Sequence, residues 1–126
     1  MLGRRRRRDE KAARDVAAFL RHEVALGRQA LRIVNVYQRA ARGSKAVVQV
    51  CGQDNVVDTW FWWYWAEPGS LVSVLPEVGW GPHTARSGVH YVGHEHAAVH
   101  SILGYVPSQD VIRADRHARR NTGRLC

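Results

Sequence analysis

Beyond Gly43 the chain breaks into short runs of β-formers separated by turn residues, and that spacing is the strongest constraint on its fold. Lys45 to Cys51 is rich in β-branched residues, and Val57 to Trp65 is strand-like and dense in aromatics. Leu71 to Leu75, Val89 to Gly93 and Val99 to Val106 follow. Between them stand the turn-forming Gly52-Gln53-Asp54-Asn55 and Glu67-Pro68-Gly69-Ser70, and a Gly- and Pro-containing loop from Pro76 to Gly88. Short strands at this spacing, with no helical stretch between them, predict a small sandwich or antiparallel barrel. The stretch from Gly104 to Ile112 would close it. Pro107 removes a ladder donor and belongs at a strand edge or just past one. Ser108, Gln109 and Asp110 favour a tight turn, and Val111-Ile112 is expected as a second short strand.

The first third of the chain follows another rule. Residues 1 to 8 hold an arginine block, expected to stay disordered until bound. From Asp9 to about Arg42, apolar residues fall at Val16, Leu20, Val24, Leu31 and Val34, with Phe19, Ala30, Ile33 and Tyr37 alongside. Spacings of three and four predict one long amphipathic helix with a broad apolar stripe. Asp9 is its expected N-cap and Gly43 its stop, with Gly27 a weak point midway. A continuous helix of this length would extend roughly 50 Å. Residues 115 to 126 are basic and lack periodicity, as a tail would. The expected class is α+β, in four parts: an arm (1–8), a helix (9–43), a small barrel (44–114) and a basic tail (115–126).

The barrel segment resembles Src-homology-3 domains. Gly104-Tyr105-Val106-Pro107-Ser108 is similar to their closing motif, and Trp65 to Leu75 looks like their diverging turn and following strand. His90-Tyr91-Val92-Gly93-His94 stands where the family has its Trp-Trp pair, and Ala46 to Val50 is similar to the opening strand. The resemblance implies a binding module rather than an enzyme. In that family an aromatic groove grips polyproline helices. The positions that match the groove hold Val48, Val50, His90 and Asp110 here, and Pro107 alone keeps the family residue. The resemblance therefore implies the scaffold without its usual ligand, because a fold does not by itself fix a function.

Other surfaces must then carry the binding. The 126 residues have a formal net charge of +8, which favours nucleic acid, acidic proteins or anionic lipid as partners. Arg4, Arg5, Arg6, Arg7 and Arg8 form one basic cluster. Arg116, Arg119, Arg120 and Arg124, with Arg113, form another. Such clusters contact phosphates in a salt-sensitive, sequence-independent way. Nucleic acid is the leading polyanion and an acidic protein surface the second. The run Trp60-Phe61-Trp62-Trp63-Tyr64-Trp65 is the other candidate. Side chains alternate faces along a strand, so Trp60, Trp62 and Tyr64 would share one face and Phe61, Trp63 and Trp65 the other. So small a barrel cannot bury both faces. Trp60, Trp62, Trp63, Tyr64 and Trp65 are therefore expected to dock a protein partner within a larger assembly, with the helix covering the remainder. A second copy of the chain is one such partner.

His83, His90, His94, His96 and His100 cluster in sequence. His90, His94, His96 and His100 are weak candidates for a zinc site, since they lack matched cysteines or an ordered ligand motif. No cofactor is expected. No phosphate loop, nucleophile elbow or paired carboxylates point to catalysis. The alternatives are a neck or connector protein of a bacterial virus and a metal-dependent enzyme built on the histidines. Cys51 and Cys126 are expected as free thiols in a reducing compartment. With no signal peptide and no membrane-spanning run in view, the expected location is intracellular, in the cytoplasm.

Overall fold

The structure is a computed structural model that describes residues 2–75, 88–96, 100–121 and 123–126. It is an α+β fold. A helix, α1 (Leu2–Ala25), precedes β1 (Gln29–Ala40), β2 (Gly43–Val50), β3 (Val56–Trp62), β4 (Leu71–Val74), β5 (His90–Val92) and β6 (Gly104–Val106). A second helix, α2 (Ser108–Asn121), follows β6. The strands form one curled sheet, a half-barrel, in the order β5-β3-β2-β1-β4-β6. Neighbours are antiparallel except β3 and β5, which run parallel, so the sheet is mixed where an antiparallel one was expected. The expected loop from Pro76 to Gly88 lies outside the described residues except for Gly88, as does Val99.

The long helix of the sequence reading ends early. Gly27 takes a left-handed φ of 76°. The Arg28 amide then bonds back to the Glu23 carbonyl at 2.9 Å, and the Gly27 amide to that of Val24 at 2.9 Å. This is the glycine-terminated helix end known as a Schellman motif. Residues 29–40 continue as a strand, where sequence periodicity placed more helix. Two bulges account for the misleading pattern. Against β2 the register passes from Ile33 to Asn35 and from Val36 to Gln38 while the partner advances one residue each time. Val34 and Tyr37 are the inserted residues, and both project outward, about half exposed. Leu31, Val34 and Tyr37 therefore recur every third residue, which imitates a helix. Bulges also bend a strand and sharpen its twist, which suits a sheet that curls.

Residues 2–8 and 108–121 are helical too. The arginine block forms the first turns of α1 rather than a disordered arm, in keeping with arginine's high helix propensity. Asp9 lies within α1, not at its N-cap. Pro107 does end β6, but Ser108 then opens α2, and Val111-Ile112 are helical. Val111, Ala114 and Ala118 are spaced by three and four and form its buried face. The 115–126 segment is thus largely the end of α2.

Two cores result. Leu31, Ile33, Ala46, Val48, Phe61, Val72, Val74 and Val92 pack on one face of the curled sheet. Ala12 and Val16 of α1 pack with Leu71 of β4 and with Val111 and Ala114 of α2. Each fully buried large side chain, such as Phe61 or Leu71, contributes about 1.5–3 kcal/mol. Gly104 lets α1 approach the sheet. A Cβ there would lie 2.5 Å from Glu23 Oε1 and 2.8 Å from a Phe19 ring carbon.

Cys51 and Cys126 are joined in a disulfide, contrary to the expectation of free thiols. The fold explains the pairing. Leu125 and Cys126 pack on the helix-side core beside Cys51, and Arg124 bonds Asp54 at 2.5 Å across the neighbouring turn. The free-thiol premise of the intracellular reading falls with it. Among the described residues no helix is long and apolar enough to cross a membrane.

Candidate functional site

The two arginine clusters, separated by a hundred residues of sequence, meet on one face. α1 and α2 lie side by side, and their contact is organised by Asp9, which is fully buried. Arg116 donates to both oxygens of the Asp9 carboxylate, at 3.0 and 3.2 Å, and Arg120 donates at 3.1 Å. The Arg116 hydrogen bond is the main force holding the Asp9 carboxyl below its ordinary range. Burial opposes it, and Arg120 adds to it. Beside this ion triad, Arg4, Arg5, Arg8, Arg113 and Arg116 line a cleft of about 370 Å³ with Asp9 at its base. Of the five arginines that line the cleft, Arg116 is the one bonded to the Asp9 carboxylate.

The remaining predicted arginines are placed differently. Arg6 lies at a neighbouring hollow with Glu10, His117 and Arg120. Arg7 turns back to the Gly3 carbonyl at 3.3 Å. Arg119 pairs with Asp115, and Arg124 with Asp54. Asp115 also accepts from Arg32 of β1, which fastens α2 to the sheet.

The aromatic run does not form the expected two-faced strip. β3 ends at Trp62. Phe61 is buried in the sheet core, whereas Trp60 and Trp62 are half-buried and meet edge to face, 5.2 Å apart. Trp63 leaves the strand with a left-handed φ of 57°. Its amide bonds the Arg42 carbonyl at 2.7 Å, and its indole N–H bonds the Glu95 carbonyl at 3.0 Å. Alternation therefore fails after Trp62. Nor does α1 cover this region: it packs on α2 and on the β4 side of the sheet.

The end of the run instead builds a second cleft. Tyr64, Trp65, Glu67, His100, Ile102, Leu103, Gly104 and Tyr105 enclose about 530 Å³. Glu67 anchors it. Its carboxylate accepts from the Tyr105 hydroxyl at 2.5 Å, and from the Ser108 hydroxyl and amide at 3.1 and 3.3 Å. The last of these places a negative charge at the N-terminus of α2, where it is favourable. The Tyr105 bond, with the Ser108 bonds, holds the Glu67 carboxyl low against the pull of burial. The same bond pushes the Tyr105 phenol up to about 12. Sequence reading singled out neither Glu67 nor Tyr105 as site residues. Both stand in motifs it did identify, the turn at 67–70 and the closing stretch.

Among the described residues the histidines form no metal-holding group. His90 is buried on β5. His94 and His96 are exposed in the bend that follows, and His100 meets the Tyr64 ring at 5.4 Å. His83 lies outside the described residues. Among the described residues no group of three His, Cys, Asp or Glu side chains stands close enough to hold a metal ion.

Compared with family models, with curated proteins and with solved structures, the chain matches none.

Proposed function

We propose that the chain is a non-catalytic binding module whose two-helix face grips the phosphate backbone of a nucleic acid. The observation that carries this reading is the convergence of Arg4, Arg5 and Arg8 of α1 with Arg113 and Arg116 of α2 on one cleft. Asp9 offsets only part of that charge. The first turn of α1 contains no acid, so the positive end of the helix dipole adds to the arginines. An anion docking there relieves like-charge repulsion that the free protein must tolerate. The Src-homology-3 likeness enters only as a proposal for the curled sheet, because α2 stands where that family has its last strand. In this reading the sheet is the scaffold and the helices are the binding surface.

The test is binding of the full chain to random-sequence duplex DNA and single-stranded RNA over a range of salt. An Arg4→Ala/Arg5→Ala/Arg8→Ala variant is measured alongside. Each lost phosphate contact should reduce the slope of log K against log salt by about 0.9 on duplex DNA. A slope lower by about 2–3 in the triple variant supports the proposal. An unchanged slope, or salt-independent binding, overturns it. Preference for an acidic protein over both nucleic acids would transfer the cleft to that partner.

A further inference from the structure

We propose that the cleft between the Tyr64–Glu67 segment and β6 is a binding site for a quaternary ammonium group. Tyr64, Trp65, Tyr105 and the His100 imidazole give its walls an aromatic part, beside aliphatic Ile102 and Leu103. Trp65 and Tyr105 are 44% and 49% exposed, unusual for large rings, and both line the cavity with Tyr64. A cation is attracted to the faces of such rings by their quadrupoles. The cleft is also the counterpart in charge of the rest of the molecule. In a chain of net charge +8, no lysine or arginine is among its described lining residues, and Glu67 supplies an anion.

The walls are held in place before any ligand arrives. The Trp65 indole N–H bonds the Ala40 carbonyl at 2.7 Å. The Tyr105 hydroxyl bonds Glu67, and the Tyr64 ring packs edge-on against buried Phe61 at 5.8 Å. Fixed walls lower the entropy cost of binding.

The state of Glu67 selects the kind of cation. An ionised carboxylate offers roughly four acceptor sites, and three neutral donors already occupy Glu67. None of those donors carries a charge, so the negative field persists while the hydrogen-bonding capacity is nearly spent. A primary ammonium, which must replace three lost bonds to water, is poorly served by such a site. A quaternary ammonium has no N–H to donate and needs only the field and the rings. The source of the head group is either a free small molecule or a methylated lysine side chain, and the probes below separate them.

The experiment is calorimetric titration of the full chain with choline, ethanolamine, the neutral choline isostere 3,3-dimethylbutan-1-ol, and a short peptide carrying trimethyl-lysine. Choline or the peptide should bind, and the neutral isostere should bind at least about tenfold more weakly. Ethanolamine should fall below choline. Tighter binding of the peptide assigns the head group to a protein side chain, and tighter binding of choline to a small molecule. Trp65→Ala should weaken binding about tenfold, with Tyr105→Phe, which keeps the ring, as the conservative control. Circular dichroism of both variants separates loss of the site from loss of the fold. Equal binding of the neutral isostere would show an apolar cleft without cation selectivity and overturn the proposal. So would full retention of choline affinity in a folded Trp65→Ala variant, or no binding of either methylated probe at about 10 mM.

Discussion

Asp9 and Glu67 are both carboxylates held below their ordinary ionisation range, yet they organise clefts of opposite character. Asp9 is gripped by two guanidinium groups, and the surrounding arginines outnumber it, so the helix face is positive. Glu67 is gripped by a phenol, a hydroxyl and a backbone amide, none of them charged, so its negative charge stays uncompensated. Depressed ionisation alone therefore does not give the sign of a site. The charge of the donors does. The same comparison separates structural from functional roles on α2. Arg116 serves both as the tie to buried Asp9, at 3.0 Å, and as a wall of the cleft, whereas Arg113, equally part-exposed, meets Asp110 only at 3.8 Å and is less committed to an internal partner.

The comparison breaks most violently if the guanidinium partners are removed. An Arg116→Ala/Arg120→Ala double variant leaves Asp9 buried without a counter-charge, which costs about 3–5 kcal/mol. The reverse change, Asp9→Asn, leaves two arginines that are already about one-third exposed and can turn to water, so its cost should be nearer 1–2 kcal/mol. Urea unfolding of the two variants measures both. Equal losses would show that Asp9 is less enclosed than its burial implies.

Acid gives an intermediate effect. A carboxyl whose folded ionisation lies below its unfolded value contributes stability that is complete above the unfolded value. That stability is lost as pH falls through the folded value. For Asp9 the loss begins near its ordinary value of 3.8 and continues below it. Glu23 behaves alike: burial raises its carboxyl, but bonds from Ser73 and Arg28 outweigh that. The wild-type chain should lose stability steeply below that point, and Asp9→Asn should flatten the slope. Thermal melts between pH 6 and pH 2.5 would reveal it, and parallel curves for the two proteins would remove Asp9 from the account.

How far the sequence discloses these features depends on how local they are. β2, β4 and β5 agree closely with short apolar runs bounded by turns, because alternation and glycine act within a few residues. β1 was hidden by its bulges, which convert a two-residue period into spacings of three at Leu31, Val34 and Tyr37. The Schellman glycine at position 27 was the local signal that outweighed that spacing. In α2, Ser108 and the Val111–Ala114–Ala118 spacing stood in plain view, but two alanines make a faint stripe beside so many arginines. The arginine clusters were legible as charge, while their meeting was not, since it depends on α2 packing against α1. The Cys51–Cys126 bond was illegible for the same reason. Trp63 ended the alternation of the aromatic run by a backbone turn that no neighbouring glycine announces.

The smallest expected effect sharpens the comparison from the Glu67 side. Glu67→Gln keeps an acceptor for Tyr105 and Ser108 but removes the charge, so it should cost no more than about 1 kcal/mol. Its signature lies in Tyr105. Glu67 supplies the leading hydrogen bond and part of the field that raise this phenol, so the substitution should bring it from about 12 back toward its ordinary 10.0. Because a raised phenol stabilises the fold below its unfolded value, that contribution fades between 10.0 and about 12 in the wild-type chain. It should be weaker throughout in Glu67→Gln. NMR titration of ¹³C-labelled tyrosine, with Tyr105→Phe to assign the resonance, measures the shift directly. A Tyr105 phenol that titrates identically in both proteins would mean that the carboxylate is screened by water in the cleft. The aromatic site would then lack the field that distinguishes it from the arginine-lined one.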